Sequence, residues 1–520
     1  MDLNYKNTNK LDVHPDHFVE ENGSLYAGNH YLIDMWGCDY LEDDKKIKEF
    51  MIGAAEIAGA SILHAHTHHF GEGQGISGVV VLAESHISIH TWPERSYAAF
   101  DIFMCGNTNP DASLEFLRKN FKPSGINVKK IKRGLVSQKK MTISSINKFL
   151  EQSNIETPCL VMDLAIVKNS YIELQKNFPS SLIYYAVKAN PAIEIINCLK
   201  NIDSNFDVSS KKEIELCLSQ SINPSKLSYG STIKKEKDIS WAYSKGLRLF
   251  AFDSLEELNK IEKQAKNAKV FCRLQVPNEG ANWPLSKKFG CSINMTKGLM
   301  LEARRKGLIP TGISFHVGSQ QTNIKRWFSA LKMCHEVYAF LKENNIVLDF
   351  INIGGGIPVN YQDFNFNLEK FSKELNHNIK NIFNHDIPKI MIEPGRFLVA
   401  ESGVIESEVI LVSKKDYEDN KRWIYLDMGR FSGLAETEGE AIKYKILPLN
   451  KKNLKTGPVI IAGPSCDGAD ILFEKYNYEL PLSIKSGDKL RIYSTGAYTS
   501  VYGSDFNGLQ RLKEYFINIT

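Results

Sequence analysis

Residues 182–191 read LIYYAVKANP, a short apolar run that is followed at once by a lysine. Six further apolar runs follow it, and segments with helical spacing separate them. Short strands that alternate with helices in this way predict a (β/α)8 barrel. The predicted strands are LIYYAVK (182–188), FDVSS (206–210), LRLFAFD (247–253), VFCRLQV (270–276), GISFHVGS (312–319), LDFINIGGG (348–356) and PKIMIEPG (388–395).

The pattern changes on both sides of this barrel, which we place at 158–395. After a polar lead-in at 1–25, residues 26–135 combine strand-like runs with two helical stretches and predict a two-layer α+β sandwich. Residues 136–157 are polar and partly helical, as in a linker. Beyond the barrel the helices largely stop, so residues 396–520 predict an antiparallel β domain. A chain of 520 residues is too long for one hydrophobic core, which agrees with several domains.

The composition argues against several classes of protein. The net charge of +4 is mild and its basic residues are scattered among acidic ones, so no nucleic-acid partner is expected. No apolar run approaches the roughly 20 residues that cross a bilayer, and the polar start lacks the apolar core of a signal peptide. Nine cysteines without a CxxC pair favour reduced thiols over disulfides or structural zinc, and predict a cytoplasmic protein.

The segment LAESHISIHTWPERSYAAFDIFMC, at 82–105, predicts the chemistry of the first region. A reaction that forms a carbanion needs an electron sink, and a pyruvoyl carbonyl made from a serine can serve as one. Ser85 is the candidate serine, and its hydroxyl would attack the carbonyl of Glu84. The imidazole of His90 can move protons near neutral pH, and Cys105 is a candidate acid that protonates the product carbon.

This segment resembles the processing site of the bacterial type of S-adenosylmethionine decarboxylase, and the resemblance covers about residues 28–135. It implies self-cleavage between Glu84 and Ser85, with Ser85 becoming the pyruvoyl cofactor. It also implies that His90 assists this cleavage and that Cys105 is the proton donor. Further positions that match the family are Ser77, in GISG, and Glu94, in TWPE.

A histidine-rich run, HAHTHH at 64–69, lies in the same region. His64, His66 and His68 alternate, so one face of a strand would carry all three. No carboxylate or cysteine stands at ligand spacing. The pattern therefore favours a polar face that lines the first site, and we expect no metal.

The ends of the predicted barrel strands carry side chains that suit an aldehyde cofactor with a phosphate. Catalytic residues of such barrels lie at these ends. Lys188 can form a Schiff base, and His316 offers a flat ring for stacking. The glycines at 354–356 can bring backbone N–H groups close to a phosphate. Glu393 can keep a pyridine nitrogen protonated, and Arg396 suits a phosphate.

These motifs resemble the eukaryotic-type ornithine decarboxylases, relatives of alanine racemase and diaminopimelate decarboxylase, over nearly all of 158–520. The resemblance implies pyridoxal phosphate held by Lys188, with His316 stacked on its ring and Glu393 at its pyridine nitrogen. The other cofactor-side positions that match are Asp207, Arg273, Ser319, Gly355, Gly356, Arg396 and Tyr498, of which Ser319, Gly356, Arg396 and Tyr498 would hold the phosphate.

The segment GPSCDGAD, at 463–470, extends the resemblance. In the family it reaches into the site of the partner subunit, which implies a homodimer. Cys466 would protonate the product carbon, and Asp467 would bind the distal ammonium group of the substrate. Asp427, in YLDMGRFSGLAE, matches a second carboxylate near that ammonium. Two acids around a buried cation fit a diamino acid, whereas a diaminopimelate decarboxylase needs cationic groups instead.

The sequence therefore predicts a bifunctional polyamine-pathway enzyme that decarboxylates S-adenosylmethionine and L-ornithine. Two alternatives stay open. Lysine could be the second substrate, alone or with ornithine, because one methylene in a pocket is worth about 1–3 kcal/mol. One half could instead be a catalytically inactive regulatory domain. The retained groups that argue against inactivity are Ser85, His90, Cys105, Lys188 and Cys466.

Overall fold

A computed structural model describes residues 19–21, 24–106, 108–134, 138–277, 279–283, 288–384, 386, 388–449 and 455–519. Most of the predicted lead-in and residues 136–137 of the predicted linker lie outside the described residues. The chain divides into two compact units, Met1–Met141 and Thr142–Thr520.

The first unit is a six-stranded antiparallel sheet with two helices. Its elements are β1 (Val19–Glu21), β2 (Ser24–Tyr26), β3 (Gly28–Trp36), α1 (Asp44–Ile57), β4 (Ile62–His69), β5 (Ile76–Leu82), β6 (Ser85–Trp92), β7 (Tyr97–Met104), α2 (Pro110–Phe121) and β8 (Gly125–Arg133). The strand order is β4-β5-β6-β7-β3-β8, and β1 and β2 form a separate hairpin. This confirms the predicted α+β sandwich.

Strand β6 shows how the sheet separates its two faces. Ile87 and Ile89 are buried in one core with the apolar sides of α1 and α2. His86, Ser88 and His90 alternate with them and lie on the opposite face, which we call the open face. His86, Ser88 and His90 therefore line the side of the sheet that neither α1 nor α2 covers.

The second unit contains more elements, and the helix α3 crosses the division between the units. They are α3 (Gln138–Gln152), β9 (Cys159–Asp163), α4 (Leu164–Asn177), β10 (Leu182–Ala186), α5 (Ile193–Lys200), β11 (Asn205–Val208), α6 (Lys211–Ser219), β12 (Leu227–Tyr229), α7 (Glu236–Ser244), β13 (Leu249–Phe252), α8 (Leu255–Gln264), β14 (Lys269–Arg273), β15 (Ala281–Trp283), α9 (Ile293–Arg305), β16 (Ile309–Ser314), β17 (Ser319–Gln321), α10 (Lys325–Glu343), β18 (Phe350–Asn352), α11 (Leu368–Phe383), β19 (Lys389–Ile392), α12 (Arg396–Val399), β20 (Gly403–Ser413), β21 (Arg422–Leu426), β22 (Lys445–Pro448), β23 (Thr456–Ala462), β24 (Ile471–Pro481), β25 (Lys489–Tyr493) and β26 (Lys513–Ile517).

Eight parallel strands close into a barrel in the order β10-β11-β12-β13-β14-β16-β18-β19, which confirms the predicted (β/α)8 fold. Seven of them are the predicted strands. The eighth, β12, has three residues and is too short to show a periodic pattern. Inside the barrel, aromatic and apolar side chains form one packed layer, so the barrel is filled and not a pore. The buried members of that layer are Tyr184, Ala251, Phe271, Phe350 and Met391.

Side-chain caps explain where several barrel helices begin. Ser210 and Ser254 each accept a hydrogen bond from the backbone N–H three residues later, and that residue is a glutamate. The serine side chains thus satisfy backbone donors at the helix starts. The glutamates accept from other backbone groups, Glu213 from Ser209 N–H and Glu257 from Lys234 N–H. The caps hold the chain where it leaves β11 and β13, close to the cavity described next.

The C-terminal sheet draws on residues from both ends of the second unit. Its strand order is β22-β25-β20-β21-β23-β24, and β9 pairs with both β20 and β26. Most neighbours are antiparallel, as predicted, but β21 with β23 and β9 with β26 are parallel. Ile146 and Leu150 of α3 pack on this sheet, so the segment predicted as a linker contains a docked helix. Among the described residues, no helix is long and apolar enough to cross a bilayer.

Candidate functional sites

The peptide bond between Glu84 and Ser85 lies at the start of β6, in a strained and tightly held turn. Ser85 has a φ of +142°, a conformation that residues with a side chain rarely adopt. The backbone N–H of Cys105 donates a hydrogen bond to the carbonyl oxygen of Glu84 at 3.1 Å. The N–H and hydroxyl of Ser61 hold the Glu84 carboxylate at 2.8 and 3.1 Å. The carbonyl that Ser85 would attack is therefore fixed and polarised.

Cys105 follows β7, directly beside this turn, because Ser85 pairs with Met104 in the sheet. Burial raises the pKa of the Cys105 thiol, and the nearby charge of Glu84 raises it further. A raised pKa keeps the thiol protonated at neutral pH. The position of Cys105 beside Ser85 and its protonated thiol both suit its predicted role as the proton donor to the product carbon.

Ser77 and His90 form a close pair, but far from Ser85 of the same chain. The Ser77 hydroxyl lies 2.7 Å from Nδ1 of His90, since the two residues face each other across β5 and β6. His90 is five residues along β6 from Ser85, which is about 16 Å at the rise of a strand. Glu94 is exposed and lies still further away, in the 3₁₀ turn Pro93–Arg95. One chain thus brings Cys105 to Ser85 but not these three residues.

His64, His66 and His68 lie on the edge strand β4 and are exposed. The rings of His64 and His66 are parallel, with centroids 6.4 Å apart, and His68 packs edge-on against Phe70. Within the described part of the chain, no group of three or more histidine, cysteine or acidic side chains is arranged to hold a metal. The run forms a histidine-rich strand face that β5 and β6 separate from β7.

The second unit has a cavity of about 270 Å³ at the C-terminal ends of the barrel strands. The predicted site residues that line it come from separate strand ends, which the closed barrel brings together. They are Lys188, Asp207, Arg273, His316, Ser319, Glu393 and Tyr498. Asp427, Cys466 and Asp467 are not among its lining residues.

Burial and nearby charges shift the pKa values of His316 and Lys188, two of the basic side chains that line the cavity. Enclosure by the protein, together with the charges of Arg273 and Lys188, lowers the pKa of His316 well below its ordinary value. A neutral imidazole results, and its Nδ1 accepts a hydrogen bond from Gly318 N–H at 3.0 Å. For Lys188, enclosure lowers the pKa, but Tyr498, Asp207 and Glu393 outweigh this and raise it overall.

Asp207 and Glu393 are carboxylates that line this cavity with the lysine. Burial and the neighbouring charge of Glu393 raise the pKa of Asp207 well above its usual range. Oδ1 of Asp207 is buried and has no hydrogen-bond partner among the described residues. Oε1 of Glu393 accepts a hydrogen bond from Asn352 Nδ2 at 2.5 Å. An orphaned buried carboxylate oxygen indicates a missing donor or cation.

The glycines and Arg396 form a cradle beside these groups. A Cβ on Gly356, which has a φ of +89°, would lie 2.3 Å from the Gly318 carbonyl oxygen, so only glycine fits there. A Cβ on Gly355 would lie 2.6 Å from the Glu393 carbonyl oxygen. Arg396 donates from Nε and Nη2 to the Ser319 hydroxyl at 3.2 and 3.0 Å. The backbone and the guanidinium can thus approach an anion closely.

Glu436 is a site residue that sequence reasoning missed. Its Oε1 lies 2.5 Å from Nη2 of Arg396, and both side chains are 3% exposed. It lines the cavity, and its Oε2 is buried without a hydrogen-bond partner among the described residues. The stretch quoted for Asp427 ends on Glu436, but its 3₁₀ turn, Ala435–Glu440, carries no pattern that marks a cavity.

Asp427 is not among the residues that line the cavity of its own chain, so its place beside the substrate stays a prediction. The Ser407 hydroxyl of β20 donates to its carboxylate at 2.6 Å, and burial raises its pKa. Thr157 also hydrogen-bonds to it. These contacts hold the carboxylate against the C-terminal sheet. Glu436, by contrast, is a carboxylate that lines the cavity of its own chain.

Cys466 and Asp467 lie on the loop between β23 and β24 and are both exposed. The N–H of Cys466 donates to Asn507 Oδ1 at 3.0 Å, and Asp467 Oδ1 accepts from Ala469 N–H at 2.8 Å. The buried carboxylate of Asp470 accepts from the N–H of Arg430 at 2.6 Å. The loop therefore presents the Cys-Asp pair in a defined shape, away from its own cavity.

Comparison with known families matches both units. The model of the S-adenosylmethionine decarboxylases matches residues 29–134. The model of the pyridoxal binding domain of pyridoxal-dependent decarboxylases matches residues 164–400. The two matches fall on the sheet that carries Ser85 and on the barrel that carries Lys188.

Individual relatives cover most of the second unit. The lysine/ornithine decarboxylase of Selenomonas ruminantium is 30% identical over 355 residues, 68% of this chain and 88% of the relative. The probable ornithine decarboxylase of Dictyostelium discoideum is 29% identical over 393 residues, 73% and 84% of the two chains. The solved lysine/ornithine decarboxylase of Vibrio vulnificus with putrescine superposes with a TM-score of 0.64 at 28% identity, covering 73% and 98%.

The fold and the cavity thus define a decarboxylase of the barrel type. The chain belongs to the pyridoxal-dependent decarboxylase family and carries a domain of the S-adenosylmethionine decarboxylase family ahead of it. The cavity fits pyridoxal phosphate, because Lys188 is among its lining residues and the buried Oδ1 of Asp207 has no hydrogen-bond partner among the described residues. The resemblances drawn from the motifs are confirmed at the level of family.

Proposed function

We propose that the chain is a bifunctional enzyme that decarboxylates S-adenosylmethionine in its first unit and L-ornithine in its second. The observation that carries this proposal is that two sets of reactive groups lie in separate units. Ser85 and Cys105 meet at a strained turn in one unit, and Lys188 lies among carboxylates in the other. The products would be decarboxylated S-adenosylmethionine and putrescine, the two inputs for spermidine synthesis.

In the first unit, Ser85 would be consumed to make the pyruvoyl cofactor. Cleavage before Ser85 would leave fragments of 84 and 436 residues, which together make the 520 of the chain. The pyruvoyl carbonyl would supply an electron sink for the carbanion left by decarboxylation. Cys105, which the sheet holds beside Ser85 with its thiol protonated, would then give its proton to the product carbon.

In the second unit, Lys188 would hold pyridoxal phosphate, which supplies an electron sink when bound. The neutral ring of His316 would pack on the cofactor ring, and Glu393 would face its pyridine nitrogen. Asp207 and Arg273 line the same cavity. The groups suited to the phosphate are Ser319, Gly355, Gly356, Arg396 and Tyr498.

Glu436 supports a substrate with a second positive charge. A buried carboxylate beside the phosphate cradle is repelled by a bound phosphate unless a further cation joins them. The distal ammonium of ornithine would be that cation. Lysine is the second candidate, because two relatives are named for lysine and ornithine together. The retained groups at both sites argue against an inactive regulatory half.

A homodimer would complete both sites. The open face of the first unit exposes Trp36 and Trp92, apolar side chains that a second sheet could cover. A two-fold contact there would bring the Ser77–His90 pair of one chain to Ser85 of the other. In the second unit, the exposed Cys466 and Asp467 would reach the cavity of the partner. All nine cysteines, each in the described part, are free thiols, which supports the cytoplasm as its compartment.

The test is an assay of the purified chain with S-adenosylmethionine, ornithine, lysine and arginine, together with its mass spectrum. We expect carbon dioxide from S-adenosylmethionine and from ornithine, and two fragments of 84 and 436 residues. If carbon dioxide is released from lysine with a higher kcat/KM than from ornithine, lysine becomes the proposed substrate of the second unit. An uncleaved chain that turns over S-adenosylmethionine would refute the pyruvoyl assignment.

A further inference from the structure

A linked set of side chains on the open face of the first unit ends at Ser85. Nδ1 of His86 lies 3.3 Å from the Ser85 hydroxyl. Nε2 of the same ring lies 3.3 Å from Oδ1 of Asp101. Nε2 of His30 lies 2.6 Å from that same Asp101 oxygen. Three strands contribute, since His86 is on β6, Asp101 on β7 and His30 on β3.

The sheet register holds this set together. His86 pairs with Phe103 on β7. Asp101 lies two residues before Phe103 on that strand, on the same face of the sheet. His30 also faces Phe103, from the other side of β7. The ring of Phe103 packs against both imidazoles, with centroids 5.5 and 6.2 Å away. The imidazole of His86 therefore contacts both the ring of Phe103 and the carboxylate of Asp101.

The contacts of His86 fix which of its nitrogens can accept a proton. Its Nε2 faces a carboxylate, which accepts hydrogen bonds, so in the neutral ring Nε2 carries the hydrogen. Its Nδ1 then presents a lone pair to the Ser85 hydroxyl. A serine, an imidazole and a carboxylate in this order are the groups that activate a hydroxyl for attack on a carbonyl.

We propose that His86, oriented by Asp101, is the base that activates Ser85 for cleavage of its own peptide bond. This rests on the proposed self-cleavage of the first unit. His86 takes the proton from the Ser85 hydroxyl, and Oγ forms an ester bond to the carbonyl carbon of Glu84. The bond from that carbon to the Ser85 nitrogen breaks, and the proton passes from His86 to the released amine. This step needs no other reactant. The ester then loses the Glu84 carboxylate and the Ser85 α-proton, which separates the two fragments and leaves a dehydroalanine. Water converts that residue to the pyruvoyl group with release of ammonia.

The same geometry gives His86 and His90 different positions relative to Ser85. His90 lies about 16 Å along the strand and contacts Ser77, so it can approach a Ser85 hydroxyl only from another copy of the chain. His86 acts within its own chain. Asp101 touches no reacting atom and is a positioning residue. His30 contacts the same Asp101 oxygen as His86 and helps to hold that carboxylate in place.

The experiment measures the rate of cleavage in the full chain. Wild type and variants are made by cell-free synthesis, and the 84-residue fragment is followed on denaturing gels. We expect His86→Ala to cleave about 100-fold more slowly or worse. Added imidazole should restore part of that rate. His69→Ala, which changes an exposed histidine on β4, is the matched control and should cleave at the wild-type rate.

A double-mutant cycle tests the role of Asp101. Asp101→Asn alone should slow cleavage about 10-fold, yet it should add little to His86→Ala, because its effect passes through that ring. Ornithine turnover of each variant reports whether the rest of the chain is intact. Full additivity of the two substitutions would mean that Asp101 does not act through His86.

Three outcomes would overturn the inference. One is a His86→Ala chain that cleaves as fast as wild type, with or without a slow His90→Ala chain. Another is a slow His86→Ala chain that imidazole does not restore, since that would make the side chain structural. The third is the additivity just described. A wild-type chain that never cleaves would instead refute the proposed function itself.

Discussion

Ser85 and Lys188, the residues on which the two proposed reactions depend, lie in very different surroundings. Ser85 lies at the edge of a sheet face, in a backbone with a φ of +142°, among hydrogen bonds that it shares with nearby strands. Lys188 lies in a cavity where Asp207, Glu393 and Tyr498 shift its pKa. The first site prepares its reaction through backbone geometry. The second prepares it through charges that the protein separates from water.

This difference has a consequence for how each site tolerates change. A strained peptide bond reacts once and has no further use for the strain, so its surroundings need to be correct only during maturation. A cavity must bind, orient and release a substrate in every turnover. We therefore expect substitutions in the two units to act separately.

The largest effect is expected from removing each reactive residue in turn. Ser85→Ala should stay a single chain of 520 residues and lose S-adenosylmethionine turnover, because no pyruvoyl group can form. It should keep ornithine turnover. Lys188→Ala should give the opposite result. It should cleave normally and keep S-adenosylmethionine turnover, but show no ornithine turnover and no absorbance from bound pyridoxal phosphate. Gels, carbon dioxide release and absorbance spectra measure this.

Loss of both activities in either variant would contradict the comparison. It would mean that the two units fold or act as one. Circular dichroism of each variant separates a folding failure from coupled chemistry.

A smaller effect is expected at Glu436. Glu436→Gln removes the negative charge proposed for the distal ammonium, so kcat/KM for ornithine should fall about 10- to 100-fold. Glu438→Gln changes an exposed carboxylate on the same 3₁₀ turn and is the control. Steady-state kinetics at saturating pyridoxal phosphate give the result, and S-adenosylmethionine turnover should not change. An unchanged kcat/KM would remove Glu436 from the substrate site.

Mixed dimers should recover up to about one quarter of wild-type ornithine activity. Lys188→Ala and Cys466→Ala should each be nearly inactive alone. If each cavity takes Cys466 from the partner, a hybrid dimer has one cavity with both residues intact, and random exchange makes half of the dimers hybrids. Carbon dioxide release after mixing measures the recovery. No recovery despite proven subunit exchange would place both residues of one cavity on the same chain.

The smallest effect on activity is expected at α3. Ile146→Ala removes a fully buried side chain from the cluster with Val161 and Val404, and should lower the free energy of unfolding of the second unit by about 2–5 kcal/mol. Cleavage before Ser85 should proceed as in wild type. Thermal melts and gels report the two properties. Slower cleavage in this variant would show that α3 also supports the first unit.

Sequence by itself determined the fold class and most of the cavity. Apolar runs at regular spacing predicted seven of the eight barrel strands, and strand ends carried Lys188, His316 and Glu393, which the closed barrel brings to one cavity. Such residues can be found in advance because a barrel always gathers its strand ends on one side. Strand β12 was not predicted, because its three residues are too few to show a periodic pattern.

Tertiary structure alone decided which groups meet. His30 and Asp101 are 71 residues apart, and Arg396 and Glu436 are 40 apart, so no local pattern announces either contact. Asp427 stands in a matching stretch, yet its carboxylate turns to the C-terminal sheet. Local periodicity records which face of an element is buried. The partner of a polar side chain depends on strand register and chain crossing, which the sequence around that residue does not contain.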